Sequence, residues 1–168
     1  MEKFHGGIQL VSNYDIWNHD EDTKPFHYGL DSKYTGIDSG IWQKLIANDV
    51  PRIKELIQDG KIIQKYVENS DKMACRTSFE CTLDGKYKCI ALNRALVSSL
   101  TFESVWDSDK YDIMLSFYFN GTDWKFSMYT DKKGIDVSEL CASFGGGGHK
   151  QASGFTWFGK TLPERIFG

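Results

Sequence analysis

The stretch Ser143–Phe155, SFGGGGHKQASGF, decides how this chain folds, because four successive glycines, Gly145 to Gly148, run straight into His149. Glycine runs most often serve as flexible linkers. A linker separates domains, whereas here the apolar segments VSELCASF and ASGFTWF abut the glycines on both sides. The run therefore reads as a loop inside a folded unit, opened by a short helix and closed by a strand. Glycine accepts positive φ and lets a ligand come close to the main chain, so that successive N–H groups can converge on an anion such as phosphate or a carboxylate. If HKQAS opens a helical turn, its free N–H groups and dipole add to that site, and His149 and Lys150 supply side-chain donors.

Working outward, Asp136 caps the short helix, with Glu139 at the capping-box position. Upstream the apolar period is that of strands. FECTL, Asp84-Gly85 and KYKCIALN form one hairpin, and YDIMLSFYF, Asn120-Gly121 and WKFSMYT form another. RALVSSLTFESVWDS between them reads as a helix. The expected fold is α/β, a mixed five-stranded sheet flanked by helices and preceded by a helical interdomain arm.

The boundary is expected at 78/79, with the arm and a long helix over 1–78 and the sheet domain over 79–168. Residues 1–37 are aromatic and turn-rich, which predicts an irregular arm with one short helix. Asp38 and Ser39 offer a cap for GIWQKLIAND, and Pro51 opens the long helix. Ile53, Leu56, Ile57, Ile63, Tyr66, Val67 and Met73 make one apolar stripe along it despite Gly60, a stripe that needs a partner domain or a second copy of the chain.

Composition narrows the function. With 40% apolar, 14% aromatic and 26% charged residues among 168, the chain is neither disordered nor a membrane protein. A net charge of -3 rules out capture of duplex DNA by a global basic field, so an anionic ligand needs a local site. Cys75, Cys81, Cys89 and Cys141 lack zinc-knuckle spacing and read as reduced and half-buried. The N-terminal residues contain no sustained apolar run, and a cytoplasmic location is expected. No nucleophile elbow or Walker loop is present.

The order short helix, FGGGGH, two residues, ASGF resembles the GGGGHxxAAG signature of the DHHA1 domain, the C-terminal substrate-binding domain of DHH-family phosphoesterases. VSNYDIWNHDEDTKPFHYGL and the long helix are similar to the segment joining the two domains of that family, so the likeness covers nearly the whole chain. It implies a domain that grips a phosphate of a nucleotide or short oligonucleotide. It also implies an N-terminal DHH domain, in cis or in trans, whose aspartates and Asp-His-His triplet bind manganese and activate water.

Two departures bear on the site. Ala152-Ser153-Gly154 stands where many members read AAG, a small replacement that keeps the turn close-packed. Tyr129 stands near a substrate-binding arginine of several members, so that contact does not carry over. Arg94, Lys132, Lys133 or Lys150 could replace the charge, though surface lysines are commonly just solvated. The candidate substrate-binding residues are Gly145, Gly146, Gly147, Gly148, His149, Lys150, Tyr129 and Arg94. Trp17, Tyr14, Trp124 and Trp157 are further stacking aromatics whose simpler role is core packing.

No Asp-His-His triplet occurs, His5, His19, His27 and His149 are scattered, and NHDED and Asp107 to Asp109 read as solvated turns. No catalytic or metal-binding residue is assigned, and the chain alone is expected to be inactive. The competing expectations are a free-standing nucleic-acid-binding or tRNA-editing-associated module, and a catalytically silent interaction domain docking through residues 1–37.

Overall fold

The computed structural model describes residues 6–167, so Met1 to His5, which start the expected arm and include one of the four histidines, lie outside the description. By its internal contacts the chain divides into two units, 1–69 and 70–168. No described helix is long and apolar enough to cross a membrane.

In the first unit, α1 (Gly7–Asp15) and α2 (Thr23–Asp31) occupy the stretch expected to be mostly irregular, followed by α3 (Ile41–Ile46) and most of the long α4 (Val50–Ala74), whose last residues fall in the second unit. Tertiary packing explains why two helices form where one short helix was expected. Leu10, Phe26 and Leu30 are buried with Ile41, Leu45, Ile53, Leu56 and Ile57, and a short helix gains most of its stability from such a face rather than from propensity. Gly40, not Asp38 or Ser39, stands at the N-cap of α3. Pro51 lies in the first turn of α4, as expected.

Gly60, the anomaly of the long helix, is explained by close approach of main chains. A Cβ there would stand 1.6 Å from the Pro25 carbonyl oxygen, and one on Gly29 would stand 1.9 Å from that of Leu56. Along the predicted stripe Ile53, Leu56 and Ile57 are buried, Ile63 and Val67 are half-buried, and Tyr66 and Met73 are exposed.

The second unit is built on a six-stranded sheet, one strand more than expected, in the order β1-β2-β3-β4-β6-β5. Its strands are β1 (Phe79–Leu83), β2 (Tyr87–Asn93), β3 (Ile113–Phe119), β4 (Trp124–Tyr129), β5 (Gly147–His149) and β6 (Ala152–Trp157). Only β2 and β3 are parallel; all other neighbours are antiparallel. Asp84 and Gly85, at φ 52° and 64°, make the type I′ turn that the Asp-Gly pair predicts.

The additional strand is part of the glycine run itself. The parallel step from β2 to β3 is made by residues 94–112, where only a 3-10 turn, Ser99–Phe102, replaces the expected helix. Leu96, left-handed at φ 56°, breaks any helix before that turn, and the Ser98 and Thr101 side chains cap it at once.

The sheet carries a core on each face. On one, α5 (Val137–Ala142) and α6 (Glu164–Phe167) bring Val137, Cys141 and Ile166 onto Leu115, Phe126, Met128 and Phe155. On the other, the 94–112 crossover lays Phe102, Val97 and Trp106 over Ile90, Leu92 and Met114. All four cysteines are free; three are buried and Cys81 is half-buried.

Candidate functional site

The glycine run begins as the C-terminal cap of α5. Asp136 accepts from the Ser138 N–H at 3.0 Å at the helix start, and its carboxyl lies below the ordinary range chiefly because the Ser138 hydroxyl donates to it. At the helix end the Gly145 N–H donates to Ala142 O and the Gly146 N–H to Cys141 O, both at 2.9 Å. Gly145, at φ 80°, is the left-handed residue that such a cap requires. At least two of the four glycine N–H groups are therefore used inside the fold, which removes them from the convergent anion cradle expected from sequence.

The remainder of the run is strand, not helix. Gly147↔Gly154, Gly148↔Ser153 and His149↔Ala152 pair along β5 and β6, and Lys150-Gln151 make the connecting turn, so no helical turn begins at His149. Both turns at this end of the sheet are tied down. The Val137 N–H donates to Lys150 O at 3.0 Å, and the Thr130 N–H donates to Gln151 O at 3.1 Å.

Register fixes what His149 faces. One row across the sheet runs Ile90, Met114, Tyr129, Ala152, His149, and the next runs Leu92, Ser116, Ser127, Gly154, Gly147. Ile90, Leu92 and Met114 are covered by the crossover, whereas Ser127 and Gly154 are half-buried and Ala152, Gly147 and His149 exposed. The β4-β6-β5 end of this face is thus a floor of small residues. Tyr129 stands at its inner side and His149 at its edge, two strand spacings or about 10 Å apart.

The four glycines differ in what they do. A Cβ on Gly146 would lie 2.2 Å from the Gly154 carbonyl oxygen, and one on Gly148, at φ 149°, would lie 2.8 Å from that of Ala152. A Cβ on Gly147 would meet nothing within 4 Å. The fold explains three of these glycines and leaves Gly147 without a steric reason to lack a side chain.

Beside the floor lies a cleft of about 460 Å³, between the turn after β4 and the turn joining β5 to β6, lined by Lys132, Lys133, His149, Lys150 and Gln151 among others. Lys132 Nζ donates to Asp112 Oδ1 at 2.8 Å, and that contact first of all holds the Asp112 carboxyl below its ordinary range. Lys150 Nζ stands 3.8 Å from Asp136 Oδ2, and its side chain is largely exposed.

The predicted residues are thus brought together in part. Gly145 to Gly148, His149 and Lys150 are contiguous, and Tyr129 shares the row of His149. The Tyr129 hydroxyl, however, donates to Val97 O at 2.8 Å, and burial pushes its ionisation up. Arg94 follows β2, with three strands intervening before β5, and its guanidinium donates to Asp71 at 2.7 Å. Lys132 and Lys133, weighed only as substitute charges from sequence, line the cleft with His149. Their place depends on the 132–135 turn folding beside the β5–β6 turn, a proximity with no local sequence signal. Among the described residues, no three His, Cys, Asp or Glu side chains cluster to hold a metal.

No family model matches the chain, and no curated protein gives a significant match. Solved structures do resemble it. The pGpG-specific phosphodiesterase PggH of Vibrio cholerae superposes with a TM-score of 0.53 at 13% identity, over 90% of this chain and 60% of that one. The DHH domain of a member of the s1p family of ribosomal proteins superposes with a TM-score of 0.55 at 15% identity, over 89% of this chain and 41% of that one. At such identities the likeness is one of fold. The chain spans 60% of the length of the first structure and 41% of the second, less than two thirds of either.

Proposed function

We propose that this chain is the substrate-binding, DHHA1-type part of a DHH-type phosphodiesterase, and that the open sheet face bounded by Gly147, Ala152 and His149 holds a phosphate of a nucleotide or short oligonucleotide. The observation that carries this reading is Gly147, where the fold tolerates a side chain and the chain has none, beside an exposed imidazole. A ligand can approach the main chain there as it could not over any other residue. The fold shared with a phosphodiesterase and with a DHH-domain protein supports the same class, as does the FGGGGHKQASG signature.

In this reading a separate DHH domain, in cis or in trans, supplies the manganese ions that activate water. This chain fixes where the phosphodiester sits, and its share of the rate is positional. Gly147→Val tests it, since valine suits an exposed strand and leaves the fold intact. Titration with fluorescent di- to pentanucleotides at two salt concentrations is expected to show saturable binding to the parent chain and at least about tenfold weaker binding to the variant. Equal affinities would sink the assignment of this face.

A further inference from the structure

We propose that Cys81 and Cys89 form a reversible redox-modification site, closing into a cross-strand disulfide when the chain meets a low-molecular-weight disulfide such as oxidised glutathione. The site is independent of the phosphate-binding reading, because β1 and β5 are the opposite edges of the sheet. Register brings the two sulfurs together. Cys81 of β1 and Cys89 of β2 are direct antiparallel partners, so their side chains leave the same face of the sheet. Opposed residues in such a pair have Cα atoms about 4.5 or about 5.5 Å apart, and a disulfide takes Cα separations of about 4.4–6.8 Å. The bond therefore forms without moving either strand. Neither remaining thiol competes. Cys75 belongs to the core on the other face, and Cys141 meets the Ser153 hydroxyl on β6, three strand spacings or about 14 Å from β2.

Exposure and proton sharing divide the roles. β1 is an edge strand and Cys81 is half-buried, whereas Cys89 is fully buried. A small disulfide therefore reaches Cys81 first. The Cys81 thiol ionises below its ordinary range, chiefly because Cys89 donates to its sulfur, with burial opposing. Cys89 is raised by giving that hydrogen bond and by burial, so it keeps its proton longer. The Cys81 thiolate attacks one sulfur of the small disulfide and expels the other half, which takes up the proton that Cys81 lost. Cys89 sulfur then attacks the Cys81 sulfur of this mixed disulfide, and the second small thiolate leaves with the Cys89 proton. Two protein thiols are oxidised to one disulfide, and one small disulfide is reduced to two thiols.

The bond fastens a strand that in turn holds a helix. The Arg165 guanidinium of α6 donates to the Asp84 carboxylate at 2.7 and 3.0 Å, and the Asp84 N–H donates to Arg165 O at 2.9 Å. The Phe167 ring lies 5.9 Å from that of Phe79 on β1. α6 is thus anchored on the first hairpin. Closing that hairpin covalently removes the openings in which β1 leaves β2 and takes the anchor of α6 with it.

In the test the whole chain is incubated with oxidised glutathione, its free thiols are counted under denaturing conditions, and its peptides are mapped. The parent is expected to fall from four free thiols to two, with Cys81 joined to Cys89 and no glutathione retained. Cys81→Ser should keep its remaining thiols, and Cys89→Ala should stop with glutathione on Cys81. Amide exchange in β1 should slow at least about threefold on oxidation and recover with a reducing dithiol. A parent that keeps all its thiols, that retains glutathione on Cys81, or that loses thiols no faster than Cys81→Ser overturns the site. Unchanged exchange in β1 overturns its fastening of the strand.

Discussion

Alanine at Gly146 and valine at Gly147 should have unequal consequences for folding, although the two glycines are neighbours in one run. At Gly146 the added carbon must displace the Gly154 main chain, which belongs to a paired strand, so denaturant unfolding is expected to show a loss of about 1–3 kcal/mol. At Gly147 the same measurement should show a change within about 0.5 kcal/mol, because the site is open. If both substitutions destabilise equally, Gly147 has a structural role and the open-face reading loses its support. The sequence located the loop but could not separate these roles. Four identical letters hold a helix cap, a close approach, an open floor and a left-handed strand residue, and only the pairing with Gly154 and Ala152 distinguishes them. His149 and Lys150 were legible as neighbours of the glycines, whereas the company of Lys132 and Lys133 was not.

Elements with local chemistry were read most reliably. The Asp84-Gly85 turn, the cap at Asp136 and the proline-opened α4 each follow from one or two residues that fix the backbone. β5 was missed because three residues, two of them glycine, carry no strand period and become strand only through β6. Residues 1–37 hold two helices, α1 and α2, where the sequence predicts one, because their order comes from contact within the first core. This pair also carries a pH dependence. His27 of α2 stacks on the Tyr14 ring of α1 at 3.4 Å, with its Nε2 3.1 Å from Asp31 Oδ2. Burial lowers its proton affinity, Asp31 and Asp15 oppose that, and His19 adds to the lowering. The folded unit therefore keeps His27 neutral to a lower pH than the unfolded chain does. Its contribution is complete above the unfolded value of 6.5 and is lost as pH falls through the lower folded value. Urea midpoints read from Trp17 and Trp42 fluorescence should drop between about pH 7.5 and about pH 5.5. The drop should shrink in His27→Gln; an unchanged drop would assign it to other groups.

At the scale of the whole chain, each unit has its own core, and the open face, the glycine run and the basic cleft all belong to 70–168. Leu56 is fully buried among α1 to α4, and Leu115 is fully buried in the sheet under α5. Either leucine cut back to alanine should cost about 2–5 kcal/mol in the unit that contains it. If the phosphate-binding face is housed as proposed, Leu115→Ala should weaken dinucleotide binding near its unfolding midpoint, where the sheet population falls. Leu56→Ala should lower the stability reported by Trp17 and Trp42 and leave the dissociation constant within about twofold of the parent. Leu56→Ala weakening binding as strongly as Leu115→Ala would mean that residues 1–69 contribute directly to the ligand site. The small-residue floor and the lysines around His149 would then be only part of the surface that holds the nucleotide.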